Sequence, residues 1–195
     1  MKTTVLAVVA ALLLTILVGG AGAAENLDKA IEESLADVRT GDFSELAESG
    51  IIRALVPYSK TFYYFDGHHP RGITYEALRE FEKAINLELK TKHVKVNVVI
   101  VPTRRDRLLP ALIEGVGDIA AGNLTVTPER AAQVDFADPL HVGVNEVLVT
   151  GPGAPAIATI DDLAGQEVYV RASSSYWQSL QRLNDRLTAA GKEPA

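Results

Sequence analysis

Three short apolar runs separated by stretches of helical periodicity constrain this chain more than any other feature. Ile51 to Val56 is almost wholly apolar, as expected of a strand buried on both faces. Thr61 to Phe65 is aromatic and reads as extended, and Asp66 to Gly72 reads as a turn. Thr74 to Lys90 then places Leu78, Phe81, Ile85 and Leu89 at the spacing of one helix face. Val94 to Val101 is a second apolar strand, and Asp106 to Gly115 reads as a short helix with Pro110 near its start. Gly117 to Ala121 gives a third strand, and a further helix opens at Pro128. The order βαβαβα predicts an α/β fold with a mainly parallel sheet, right-handed crossovers and flanking helices. Ligands on such sheets sit beyond the carboxyl ends of the strands. Those ends are Pro57 to Thr61, Val101 to Arg105 and Gly122 to Thr125.

The third of these ends carries the most chemistry. In Gly122-Asn123-Leu124-Thr125-Val126-Thr127-Pro128-Glu129-Arg130, Thr127 can cap a helix, Pro128 suits its first position and Glu129 suits the positive end of its dipole. Arg130 falls in the first turn. A planar guanidinium fork beside backbone N–H groups suits a carboxylate. The plain alternative is a capped helix with a solvated arginine.

The flanks bound the domain. Lys2, the apolar run Val5 to Val18 and the small residues after it predict a secretory signal peptide over residues 1–23. The run is shorter than the ~20 residues a membrane-spanning helix needs. There is no cysteine, so a lipid-anchored cleavage site, a disulfide framework and a thiolate metal site are excluded. The net charge of −6 argues against nucleic acid as a partner. Residues 25–50 read as a helical leader, with a second short helix ending at Gly50. The first lobe is expected over residues 51–150, its last strand at Val144 to Thr150. A second lobe begins over residues 151–195, with a strand at Glu167 to Arg171 and a helix opening at Ser173-Ser174-Ser175. One strand and one helix cannot bury a core, so the chain is expected to be part of a longer protein.

The run Asp118 to Pro139, with Val134-Asp135-Phe136-Ala137-Asp138-Pro139 at its end, resembles the segment that closes the first lobe's ligand site in family 3 periplasmic solute-binding proteins. The resemblance covers Ile51 to Leu183 and implies the type 2 periplasmic-binding-protein fold. It implies that Arg130 and Thr125 hold a ligand carboxylate and that Asn123 adds a backbone contact. It further implies ligand contacts at Lys60, at Arg105, and at the turn containing Arg171, Ser173 and Ser174. In such proteins two lobes close on the ligand across a hinge. The acidic and aromatic residues usual at the first two strand ends are missing here. Three cations, Lys60, Arg105 and Arg130, favour a ligand with more negative charge than a simple amino acid.

Two stretches narrow the branch. Tyr58 to Gly67 continuing through Arg71-Gly72-Ile73-Thr74-Tyr75-Glu76, and Thr150 to Pro155 with Val170 to Tyr176, resemble the membrane-bound lytic murein transglycosylase F family. That resemblance implies a periplasmic regulatory domain, a catalytic domain acting on peptidoglycan, and peripheral association with the outer membrane. The implied ligand is small and anionic, a muropeptide or an amino acid. Glu33-Ser34 and Glu48-Ser49 match the start of the catalytic glutamate motif but lack its context, so no catalytic residue is expected in this stretch. His68-His69 reads as a surface turn, so no metal and no cofactor is expected. Asp135 and Asp138 read as structural, and Tyr176-Trp177 as rim and packing residues. The competing readings are a free solute-binding protein delivering an amino acid to a transporter, and an enzyme built on the same fold.

Overall fold

Strand β1 (Ile51–Val56) shows what an apolar run becomes when it has partners on both sides. In a computed structural model describing Glu33, residues 37–90 and residues 95–195, all six residues of β1 are buried. The predicted signal peptide, most of the leader's first helix and Val94 lie outside the described residues. The fold divides into two compact units, one ending at Gly122 and one running from Asn123 to Ala195. That division falls before the expected end of the first lobe at Thr150.

In the first unit, α1 (Phe43–Ser49) ends at Gly50, whose φ of 71° is the left-handed conformation that closes many helices. Strand β1 follows directly. The chain then forms a hairpin, β2 (Tyr64–Asp66) and β3 (His69–Arg71), where a turn was expected. Helix α2 (Ile73–Glu88) leads to β4 (Asn97–Pro102). A 3-10 turn (Arg105–Arg107) and α3 (Leu108–Ile113) lead to β5 (Ile119–Ala120). The sheet order is β4-β1-β5, parallel throughout, in register Ile51 to Asn97 and Ala54 to Ile119. This is the doubly connected parallel arrangement the sequence predicts.

The two faces of β1 do different work. Ile52, Ala54 and Val56 pack with Leu78 and Ile85 of α2 and with Tyr63, Val96 and Val98. Each large aliphatic side chain so buried is worth about 1.5–3 kcal/mol. Phe81 and Leu89, assigned by spacing to the same helix face, are 40% and 37% exposed. The contact stripe is narrower than the apolar one. On the opposite face Leu55 packs so closely on Gly117 that a Cβ there would lie 2.5 Å from Leu55 Cγ.

Arg53 also lies on that opposite face and is fully buried. Its Nη2 donates to Asp118 Oδ1 at 2.7 Å and its Nε to Asp118 Oδ2 at 3.1 Å. The Arg53 backbone N–H donates to the same carboxylate at 2.7 Å. The remaining donors reach the carbonyls of Asp37 and Arg39, the residues that lead into α1. Arg39 N–H donates to the Gly115 carbonyl at 3.0 Å. Each of the three guanidinium nitrogens thus has an acceptor, as burial of a charge demands.

The outer edge of β4 is closed by side chains. Glu82 accepts from Val98 N–H at 2.6 Å, and Arg79 donates to the Val98 carbonyl. Asn86 both donates to the Val96 carbonyl and accepts from the Val96 N–H, at 2.8 and 2.9 Å. Helix α2 thereby covers a sheet edge that would otherwise offer unpaired backbone groups.

The second unit is built on α4 (Pro128–Ala131), a 3-10 turn (Ile160–Leu163) and α5 (Ser175–Ala189). Its small core joins Leu163 to Leu180, Leu183 and Leu187. The expected strands at Val144 to Thr150 and Glu167 to Arg171 are corrected: neither segment joins a ladder. A strand needs a partner for its backbone groups, and no second strand is paired with either among the described residues.

Candidate functional site

At the carboxyl end of β1 the loop is rigidly built. Ser59 and Tyr63 exchange backbone hydrogen bonds at 2.9 and 3.1 Å, and Ser59 Oγ accepts from Phe62 N–H at 3.2 Å. The carbonyls of Thr61 and Phe62 accept the first N–H groups of α2, from Ile73, Thr74 and Tyr75. That docking requires Gly72. Its φ is 126°, and a Cβ would lie 2.2 Å from the Phe62 carbonyl oxygen. The helix N-terminus is therefore closed by protein carbonyls and is no anion site.

This loop presents Lys60 to solvent. Arg105, in the 3-10 turn after β4, places its guanidinium 5.3 Å from the centre of the Phe62 ring. Its neighbours Arg104 and Arg107 are committed elsewhere. Arg104 forms two bonds to Asp106, at 3.2 and 2.9 Å, and Arg107 pairs with Glu114 at 2.6 Å. Lys60 and Arg105 thus lie beyond the carboxyl ends of the adjacent strands β1 and β4.

The remaining predicted residues belong to the second unit. Asn123 adopts a left-handed φ of 49°, uncommon outside glycine but tolerated by asparagine. Thr127 caps α4, its Oγ1 accepting from Arg130 N–H at 3.4 Å, with Pro128 in the first turn. Helix α4 spans only Pro128–Ala131. So short a helix adds little dipole field, because the macrodipole sums over aligned peptide units. The carboxylate-binding capacity expected of this segment rests on the guanidinium alone.

That guanidinium is well placed. Arg130 Nη1 donates to the Thr125 carbonyl at 3.0 Å, and Nη2 donates to the Ser173 carbonyl at 3.1 Å. One side chain thereby joins the strand-end segment to the turn before α5. Two of its five N–H donors go to neutral carbonyls, which leaves others for an incoming anion. Thr125 enters through its backbone rather than its hydroxyl. Beside it, the Glu129 carboxyl is held below the usual range, chiefly by its own backbone N–H, with the Thr127 hydroxyl next.

The serine turn splits by role. Ser174 caps α5: its Oγ accepts from Trp177 N–H at 3.4 Å and donates to the Arg171 carbonyl at 2.6 Å. Ser174 and Ser175 are buried, whereas Ser173 and Arg171 are exposed. One serine caps, one packs, and Ser173 meets Arg130. His68 and His69 lie exposed in the β2–β3 hairpin, and among the described residues no group of three or more His, Asp or Glu side chains is placed to hold a metal ion. Also among the described residues, no helix is long and apolar enough to cross a membrane.

Sequence reasoning missed the Arg53–Asp118 pair. Its signal was present: a charged residue at the centre of the apolar run Ile51 to Val56 must be matched by a buried opposite charge.

Residues 50–193 match the model of the bacterial extracellular solute-binding proteins, family 3. The membrane-bound lytic murein transglycosylase F of Desulfosudis oleivorans is 27% identical over 139 residues, 71% of this chain and 28% of that protein. The protein of the same description from Shewanella baltica strain OS155 is 33% identical over 133 residues, 68% of this chain and 26% of that one. The chain spans about a quarter of the length of these curated relatives. Among solved structures, an ancestral arginine-binding protein bound to arginine is similar at 26% identity and a TM-score of 0.50, covering 74% of this chain and 59% of that one.

Proposed function

The chain belongs to the bacterial extracellular solute-binding proteins of family 3, and from that premise we propose that it is the extracytoplasmic ligand-sensing part of a peptidoglycan lytic transglycosylase. Its ligand in this reading is an anionic cell-wall fragment, a muropeptide, held through a carboxylate. The observation that supports it most is Arg130, whose guanidinium lies between the carbonyls of Thr125 and Ser173. Both segments are ones that the family resemblance assigns to the ligand. Asn123 and Arg171 flank them in sequence. Lys60 and Arg105 are the contacts proposed for the first unit, and their charge is the reason to favour an anion over a simple amino acid. The relatives named lytic transglycosylases supply the choice of cell-wall chemistry. Cleavage of glycan strands and peripheral attachment to the outer membrane belong to the proposal for the whole protein.

Titration calorimetry with a muramyl stem peptide tests the assignment. A charge-assisted pair is worth about 1.5–3 kcal/mol, so Arg130→Ala is expected to weaken binding roughly ten- to a hundredfold. Equal affinity in the two proteins sinks the role of Arg130. A second reading, a free periplasmic protein delivering an amino acid to a transporter, is favoured by the similarity to the arginine-bound protein. Tight binding of free arginine without binding of the muramyl peptide selects it.

A further inference from the structure

Tyr58 is 63% exposed, although it stands two residues beyond the fully buried end of β1. It is held by an edge contact to the buried Tyr63, with ring centres 6.3 Å apart and planes at 88°. Phe65, 52% exposed, meets the same ring at 5.5 Å and 65°. In an edge-on pair the partner ring covers at most one face of the exposed ring, whichever ring supplies the edge. Tyr75 packs 6.2 Å from Tyr63 and carries Arg79 over its own ring at 5.5 Å, which fixes the support from behind. The backbone is equally fixed by the Ser59–Tyr63 hydrogen bonds. A rigid aromatic face costs little conformational entropy on binding.

We propose that Tyr58 is a saccharide-stacking residue, with Lys60 beside it to receive a carboxylate carried by the sugar. The apolar C–H face of a pyranose matches an open ring face, and the phenol hydroxyl at the rim can bond a sugar hydroxyl. Lys60 is exposed two residues on, at the tip of the same loop. Arg105, stacked on Phe62, extends the cationic side of the loop. An aromatic face bordered by cations selects an acidic sugar over a neutral one. The inference rests on the cell-wall reading only for the choice of sugar; it does not require Arg130.

The test is calorimetry with the N-acetylglucosamine–N-acetylmuramic acid disaccharide, which carries no peptide, against neutral di-N-acetylchitobiose. The wild-type protein is expected to prefer the acidic disaccharide. Tyr58→Ala is expected to weaken its binding about five- to tenfold, whereas Tyr58→Phe retains it and Lys60→Ala removes the preference over chitobiose. Unchanged thermal melting of the variants confirms that the fold is intact. The Tyr58→Ala effect is read on the disaccharide and the Arg130→Ala effect on the stem peptide, so the two assignments fail separately. Equal binding by wild type and Tyr58→Ala overturns the proposal, as does a wild-type protein that ignores the disaccharide at millimolar concentration.

Discussion

Two apolar runs of this chain meet opposite fates. Ile51 to Val56 lies between β4 and β5 with every residue buried, its backbone paired on both sides. Val144 to Thr150 has a comparable run of valine and leucine, yet Val147 is 81% exposed, Val149 is 88% exposed, and no ladder includes them. The difference lies in the neighbours, because β-propensity measures fit to a pleated, half-buried surface more than a backbone preference. The first unit even finishes its outer edge, using Glu82 and Asn86 of α2 to satisfy Val96 and Val98. The second unit stores its order in α5, whose Leu180, Leu183 and Leu187 pack with Leu163.

Amide hydrogen exchange tests that contrast with the largest effect. Amides of β1 are expected to be protected by roughly four or more orders of magnitude, near the limit set by global unfolding. Those of residues 144–150 are expected to exchange at nearly unprotected rates. Comparable protection in the two segments breaks the comparison.

A smaller effect tests where the stability of the first unit resides. Asp118→Ala leaves Arg53 buried without its counter-charge, at an expected cost of about 3–5 kcal/mol, read as a fall in the urea midpoint. Adding Arg53→Leu should recover part of that loss, but not all, since the carbonyls of Asp37 and Arg39 lose their donor. A loss below about 1 kcal/mol in the single variant contradicts the buried-pair account.

The smallest effect belongs to the second unit. Ser174→Ala removes the α5 cap and its bond to the Arg171 carbonyl, for an expected loss of about 1 kcal/mol. Exchange should rise in the first turn of α5 and stay unchanged in β1. A change in β1 would mean that the two units share more stability than this contrast allows.

Much of the first unit was legible because its signals are local. The apolar run of β1 matches its strand end for end, and the helix expected over residues 74–90 forms at Ile73–Glu88. The Thr127–Pro128 cap was legible for the same reason, since capping chemistry acts within four residues. What the sequence hid was non-local. Arg53 and Asp118 are 65 positions apart, and only the pairing of β1 with β5 brings them together. The hydrogen bond from Arg130 to the Ser173 carbonyl spans 43 positions. The extended reading of Thr61 to Phe65 reaches β2, but β3 falls inside the expected turn, because a three-residue strand carries too few alternations to show a period. The missing strands of the second unit failed for the reason β1 succeeded: pairing depends on a partner, and a run of valines does not say whether it has one.

The buried Arg53 guanidinium has a mechanical consequence. A pull on the chain ahead of Asp37 is not delivered to a fraying end. It passes through the carbonyls of Asp37 and Arg39 to a side chain in the middle of the central strand, and from there to Asp118. These bonds bear the load in parallel and must yield together. Tension arriving at Asp37 therefore reaches the sheet as a whole.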